Sequence, residues 1–589
     1  MLRRCLVIAL SLVMTIACSA CNPQRFKTAT ARVPQLIYAQ PSSPSTFNVA
    51  LNQSLFSLVV FGYLYEGLLT TDGAEELEPA LAESLPEISP DKRRLIFTLK
   101  PGLKWSDGQP LTIEDVIFSF QDIYLNEKIP SDVKDVLRVG QSRALPTVKK
   151  IDDRRVEFTV PEPFAPLLRN IGGMSILPAH MMRESVQKTD ANGQPLFLSM
   201  WGTDTDPQKM VGSGLYRLEK YVPNQRLIFR RNPYYWRKDA QGNPQPYIER
   251  VVVQAIESTD TQLLNFRSGQ LDSLEVTPEA FPLLKHEEER GKFTIYNAGP
   301  ETITLFVSFN LNKARNAKNQ PLVDPIKSRW FNTLAFRQAV AYAIDRDTMK
   351  TNIFRGLGDL QNSSFSPNGP YRLSPEAGLK VYDYNPEKSK QLLLGAGFHH
   401  NSQGQLLDNQ GNRVKFELLV KSEEKTRVDM AVQIQQNLKQ IGIETNLQVL
   451  NFNSIKKKLD SRNWECYVGG FGGGGVEPNS GANIWTSKGR LHQFNLGPQV
   501  GDQQPIQGWE ASEWEQEIDQ LLIAGVRELE EAKRKPIYAK LQQIAQEQVP
   551  FIYLVNKLSL EAVRDRIQGI QFSPLSGAFW NLYELKVLD

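Results

Sequence analysis

Cysteine is nearly missing from this chain. Of four in 589 residues, three fall at Cys5, Cys18 and Cys21, which leaves Cys466 by itself in everything that follows. A body with one thiol has no internal disulfide, so its fold must rest on apolar burial. Histidine is scarce as well: His180, His286, His399, His400 and His492 are all there are, and none has the i, i+4 spacing or neighbouring cysteines of a zinc site. The adjacent pair His399-His400 follows a helix pattern that ends near Gly397 and reads as a solvated turn. No G-x-S-x-G elbow is present, and no Ser-x-x-Lys stands in a catalytic setting, so an enzyme, a metal site and a cofactor are not expected. A surplus of one charge is lacking too. Lys+Arg 68 against Asp+Glu 65 gives a formal +3, and no basic run interleaved with aromatics offers a nucleic-acid surface. No repeat of roughly 20 to 50 residues suggests a solenoid or propeller.

What is present begins with a leader. Arg3-Arg4, an apolar run over residues 5–17 and the small residues Ser19-Ala20 describe an export signal. The run is shorter than the roughly 20 apolar residues a stable membrane span needs. Residues 22–34 are polar and uncapped, and read as a flexible tether. The whole chain is 41% hydrophobic and 23% charged, and the rest of it holds material for two or more domains.

The body has a legible local grammar. Phe97 and Leu99 alternate with polar residues as a strand does, Asp107-Gly108 makes a tight turn, and Thr112 caps an apolar-periodic helix. Residues 148–160 read as two short strands about Asp152-Asp153, closed by the proline-rich run 161–166. Gly212 and Gly214 suit a tight backbone turn, and Pro223-Asn224 divides a hairpin. A strand at 248–256 leads to a helix at 259–267, which Ser268-Gly269 ends with glycine in the left-handed cap. A strand at 302–310 precedes a helix over 335–346, whose Phe336, Val340, Ala343 and Ile344 share one face. Further helices are expected at 385–398 and 428–441, and a turn at 406–411 leads into a strand at 414–420. Residues 514–548 read as two helices broken at Pro536. Alternating helices and strands favour an α/β class.

These pieces also carry a resemblance. The segment 36–124, with YLYEGLLTTDG and LIFTLKPGLKWSDGQPLTIEDVIFSF, is similar to the N-terminal signature of the family 5 extracellular solute-binding proteins, the dipeptide- and oligopeptide-binding subunits of ABC importers. Asn232-Pro233-Tyr234-Tyr235-Trp236, Ser268 to Asp272 and the 335–346 block resemble further stretches of that family. The resemblance implies a two-lobed α/β periplasmic binding protein of class II, the large peptide-binding type, with a hinge. Lobe I would take 35–70, 169–300 and 556–589, an inserted subdomain 71–168, and lobe II 301–555. It implies capture of small peptides or another small solute and delivery to a permease with ATPase subunits, by a monomer that is periplasmic or at the cell surface. Residues 1–21 would be a lipoprotein signal. Cys21 would be lipidated and anchor the chain to the membrane, with Cys18 as the alternative, or the leader would be a plain signal peptide cleaved near Ala20.

One segment is low in complexity: 469–478, GGFGGGGVEP. Gly470, Gly472 and Gly475 satisfy G-x-G-x-x-G, yet Val476-Glu477-Pro478 follows where a phosphate-receiving helix should start, so a dinucleotide site is not expected. A flexible surface loop is one reading. The resemblance gives another, since oligopeptide binders carry roughly Gly-Trp-x-x-Asp-Tyr-x-Asp/Glu-Pro here, with the aspartate pairing the peptide ammonium. Phe471 then stands for the tryptophan and Gly474 for the aspartate, with Glu477 the nearby substitute or with a ligand lacking a free amine. Consecutive glycine amides, Gly472 among them, would suit a carboxylate or carbonyl. By the same resemblance Phe452 and Trp485 border the cleft from the second lobe. The loop with Ser43 and Ser45 would offer backbone to an extended peptide, although Pro41 and Pro44 remove two donors.

Overall fold

A computed structural model describes residues 33–51, 55–131, 134, 137–140, 144–422, 424–472, 475–499 and 505–588. Cys18, Cys21 and Gly474 lie outside them. Among the described residues no helix is long and apolar enough to cross a membrane.

The first lobe is built on a four-stranded sheet. Gln35–Gln40 runs parallel to Arg250–Ala255, which pairs antiparallel with Arg226–Arg231, which pairs with Tyr216–Val222. Leu36, Val251, Val253, Leu227, Phe229, Tyr216 and Leu218 alternate along these strands and are at most 2% exposed, so one face is entirely core. The apolar helix Leu55–Leu64 covers that face through Val60, Phe61 and Leu64. Gly212 and Gly214 are glycine for a reason other than the expected turn. A Cβ on Gly212 would stand 2.0 Å from the Leu64 carbonyl oxygen and one on Gly214 2.4 Å from that of Tyr63, so the helix end and the loop pack backbone to backbone.

The inserted part carries its own antiparallel sheet, in the order Glu87–Ile88, Arg94–Thr98, Arg155–Thr159, Thr147–Lys150. Gly108 has φ +89°, and Thr112 and Asp115 form a reciprocal capping box at the start of Ile113–Ile117. Phe97, Phe120, Phe158 and Trp105 belong to the same buried cluster as Leu36 and Phe229, so insert and first lobe share one core.

The second core runs from Phe306 to Val555 around a mixed sheet ordered Glu444–Leu450, Lys415–Lys421, Cys466–Phe471, Thr304–Phe309, Phe551–Tyr553. Cys466, Tyr467 and Val468 are buried in succession, as expected of a strand covered on both faces. The lobes are joined through Phe293–Pro300, which leads into Thr304–Phe309, and through Val555–Arg564. That last strand pairs with Gly358–Leu360 at one end and with Ser273–Glu275 and Phe293–Pro300 at the other, which makes it a hinge. Away from the hinge the lobes touch. Val476 N donates to Glu75 Oε2 at 3.1 Å, Ala165 N donates to the Val526 carbonyl at 2.7 Å, and Arg527 pairs with Glu162 at 2.6 Å.

Several local expectations change. The 335–346 helix is two, Leu334–Ala343 and Arg346–Asn352, because the Arg346 guanidinium turns inward to the carbonyls of Gln361 (2.6 Å) and Tyr382 (3.1 Å) and Asp345 caps a new start. Pro536 does not divide the last helices. Glu513–Arg527 stops at the extended Glu528, and Pro536 sits within Glu531–Gln548. His399–His400 is exposed, but it forms a short strand paired with Leu406–Leu407 rather than a turn.

Candidate ligand site between the lobes

The glycine run starts inside the second-lobe sheet. Gly469 and Gly470 belong to Cys466–Phe471, and a Cβ on Gly469 would meet the Tyr467 and Phe306 rings at 2.5 and 2.7 Å. Glycine is therefore dictated there by packing. The strand ends at Phe471, whose ring lies against Phe306 (4.8 Å between centroids) and edge-on to Phe551 (5.6 Å). Trp485 packs edge-on to the same Phe551 at 5.6 Å and donates its indole N–H to Ser364 Oγ at 3.1 Å.

Glu477 follows the run, where its carboxylate accepts both arms of the Arg534 guanidinium at 2.9 and 2.6 Å and caps Asn479 N at 3.1 Å. Arg534 also donates to Tyr371 OH (2.8 Å) and to the Gly525 carbonyl (2.8 Å), with the Tyr371 and Tyr538 rings beneath it. Burial works against this cation, but the Glu477 hydrogen bonds and charge outweigh it and raise the pKa of Arg534. Burial pushes the Tyr538 phenol up to about 12.

Phe471, Gly472, Glu477 and Trp485 thus come together around a cavity of about 80 Å³ that Thr304, Ser364 and Tyr371 also line, and among the described residues its wall is entirely second-lobe. The other expected residues stand elsewhere. Phe452 is 50% exposed at the start of Phe452–Asp460, with Lys421 Nζ 5.8 Å above its ring. Ser43 Oγ accepts from Asn224 N at 3.0 Å and Ser45 N donates to Ser57 Oγ at 3.1 Å, so both are fastened to the first lobe. Gly474 lies outside the described residues.

Two features had no sequence signal. Arg427 Nη2 lies 3.0 Å from where a Gly470 Cβ would be, and it is paired with Glu424 at 2.7 Å. Arg534 is 57 positions from Glu477, in a helix rich in ordinary surface lysines. On the first lobe, Ile37 N donates to the Asp272 carboxylate at 2.8 Å and the Ile37 carbonyl accepts from Asp272 N at 2.6 Å, while the Gln40 carbonyl turns to the 250–255 side by accepting from Ile256 N at 2.9 Å. The period of two then points Ala39 N–H and C=O the same way as Ile37.

The hinge floor is acidic. Lys557 Nζ pairs with Glu275 (2.5 Å) and Glu301 (3.0 Å), and Glu561 stands opposite Glu275 on one side and Tyr296 on the other. Burial raises the Glu561 carboxyl to about 7, against a lowering bond from Ser273 and with a further rise from Glu275.

Two lobes, two hinge crossings and a second-lobe cavity beside the Val476–Glu75 contact with the first lobe describe a two-lobed binding protein. A profile of the bacterial extracellular solute-binding proteins, family 5 (middle), matches residues 76–493, and the chain belongs to that family. It is 29% identical over 511 residues to a probable ABC transporter-binding protein of Deinococcus radiodurans, covering 83% of this chain and 81% of that one. The fold is similar to the oligopeptide-binding protein AppA of Bacillus subtilis in complex with a nonapeptide, with a TM-score of 0.69, 20% identity, and coverage of 94% of this chain and 99% of the other. It is also similar to the periplasmic binding protein MelB of Agrobacterium fabrum in complex with stachyose, with a TM-score of 0.71, 20% identity, and coverage of 94% and 85%.

Proposed function

We propose that this protein is the capture subunit of an ABC importer, closing its lobes on an oligopeptide and presenting the closed form to a permease with ATPase subunits. The observation that carries this reading is the gathering of Phe471, Gly472, Glu477 and Trp485 where the second-lobe strand runs out toward the first lobe. Ligand bound between lobes favours the closed state by its differential affinity, and no covalent step is involved.

Recognition is through backbone and ring faces. Glu477 is committed to Arg534, so it is not available to a peptide ammonium, and a buried ammonium without a partner costs several kcal/mol. The ligand therefore engages Gly472 and its neighbours through carbonyl or carboxylate groups. That same commitment of Glu477 favours, as a second reading, a non-peptide solute such as a nickel chelate, an opine or a sugar on the same scaffold. A receptor or chaperone-like lipoprotein without transport is the remaining alternative. We read the protein as exported and monomeric, tethered through a lipid on Cys21, or on Cys18, in the periplasm or at the cell surface.

Thermal unfolding of protein that has been denatured and refolded to strip retained ligand tests this. A hundredfold excess over Kd adds about 2.7 kcal/mol to the native state. The expected result is a rise with mixed di- to pentapeptides and none with amino acids, sugars or nickel. A rise with sugars or chelates and none with peptides would move the assignment to the second reading.

A further inference from the structure

The Glu513–Arg527 helix does not end in its own lobe. Its Ile518 and Leu522 belong to the second-lobe core, but Val526, 7% exposed, belongs to the first-lobe buried cluster that also holds Phe164 and Leu167. One apolar side chain of the second lobe is thus buried against the insert and first lobe, on the side away from the hinge.

The backbone and the next side chain repeat the crossing. The Val526 carbonyl accepts from Ala165 N at 2.7 Å, just ahead of the Pro166–Gly173 helix, and Arg527 gives one oxygen of Glu162 two bonds, from Nε at 2.8 Å and from Nη2 at 2.6 Å. The acceptor is placed in advance. A Cβ on Gly140 would stand 1.4 Å from Glu162 Oε1, so glycine there leaves room for this carboxylate. At the following position the bond from the Glu530 amide, with help from Lys533 and from Lys92 of the insert, holds the Glu528 carboxyl below its ordinary range. Opposite charges therefore face each other across the lobes at two successive positions. An ion pair as exposed as Arg527–Glu162 is weak alone, so it sets register while Val526 supplies the burial.

The same turn is tied to the ligand cavity. Arg534 Nε donates to the Gly525 carbonyl at 2.8 Å while its other arms hold Glu477 on the cavity wall. Gly525, Val526 and Arg527 carry, in order, the link to the cavity, the apolar plug and the ion pair.

We propose that this turn is a clasp that holds the two lobes closed before any ligand arrives, with Arg534 connecting the clasp to the cavity wall. Opening the lobes at this edge uncovers Val526, takes the acceptor from Ala165 N–H and parts Arg527 from Glu162, so each contact favours the closed form. A solute then has less of the closure to supply, because apparent affinity scales with the population of the competent state. The clasp belongs to the scaffold and stands whatever the cleft takes.

The test is small-angle scattering together with hydrogen exchange on the stripped protein, with no ligand added, for the parent, Arg527→Glu, Glu162→Arg and the two combined. Thermal unfolding of each variant reports its fold. The expected result is a compact parent, a larger radius of gyration in each single reversal with exchange of the Ala165 amide about tenfold faster, and a return of both readings toward the parent when the charges are swapped together. A parent as open as the single variants, or a combined variant as open as either of them, would overturn the proposal. If a reversal fails to fold, Val526→Ser takes its place, since it keeps the charges and removes the plug, and an unchanged Ala165 exchange rate in that variant would overturn the proposal equally.

Discussion

Each lobe places a buried or half-buried carboxylate at the wall of a cavity, and the two are held by different chemistry. Glu66 takes two neutral donors, Tyr235 OH and Trp236 Nε1, both at 2.5 Å. Glu477 takes a guanidinium fork from Arg534 at 2.9 and 2.6 Å. Neutral donors do not cancel charge, and burial raises the Glu66 carboxyl above its ordinary value despite both bonds. A guanidinium does cancel it, and the pair closes on itself. The first-lobe carboxylate thus sits in a site where burial outweighs its neutral donors and the more distant Arg237 and Lys100, whereas the second-lobe carboxylate is held by a cation in direct contact.

The largest expected effect comes from breaking the charged pair on one side. Arg534→Met leaves Glu477 enclosed without its partner and should cost about 3–5 kcal/mol in denaturant unfolding, with most of that recovered when Glu477→Met is added. A single variant as stable as the parent would mean the pair is not holding the rim. Next is Gly469→Ala, which drives a methyl into the Tyr467 and Phe306 rings and should cost about 1–3 kcal/mol in the same measurement. Glu66→Gln should follow at about 1.5 kcal/mol, because one amide cannot accept from both Tyr235 and Trp236 as a carboxylate does. An equal loss in Glu66→Gln and Arg534→Met would erase the contrast between the lobes.

A further effect is one of pH. Glu561 rises from an ordinary 4.5 to about 7, so the folded state prefers it protonated. Its contribution is then fully present below about 4.5 and is lost as pH rises through about 7. Glu561→Gln should match the parent's melting temperature near pH 4 and exceed it at pH 8. A parallel pair of melting curves against pH would show that Glu275 and Tyr296 do not face a titrating group there.

Local devices were legible in the sequence because they act over a few residues. Thr112 caps its helix through a reciprocal bond with Asp115, Asn385 caps Pro386–Gly395 by accepting from Lys388 N at 2.9 Å, and Gly269 takes φ +79° after Thr259–Arg267. Devices that depend on distant backbone were not. Gly212 and Gly214 look like turn glycines, yet they are small because the Leu64 and Tyr63 carbonyls, far away in sequence, press on them. Pro536 looks like a break, but it falls early in its helix, and the stop is set at Glu528. At the site, Phe471, Gly472, Glu477 and Trp485 are close in sequence and were found together, whereas Arg534, Arg427 and Tyr371 arrive by tertiary folding and carry no pattern of their own.

The central claim is capture of a peptide between the lobes without an ammonium clamp. Calorimetric titration of the stripped protein with one pentapeptide, in free-amine and N-acetylated forms, tests it directly. The account predicts that both bind with affinities within a few-fold of each other, because Glu477 is held by Arg534. Binding of the free amine at least a hundredfold tighter than the acetylated form, or no binding of either, would contradict it.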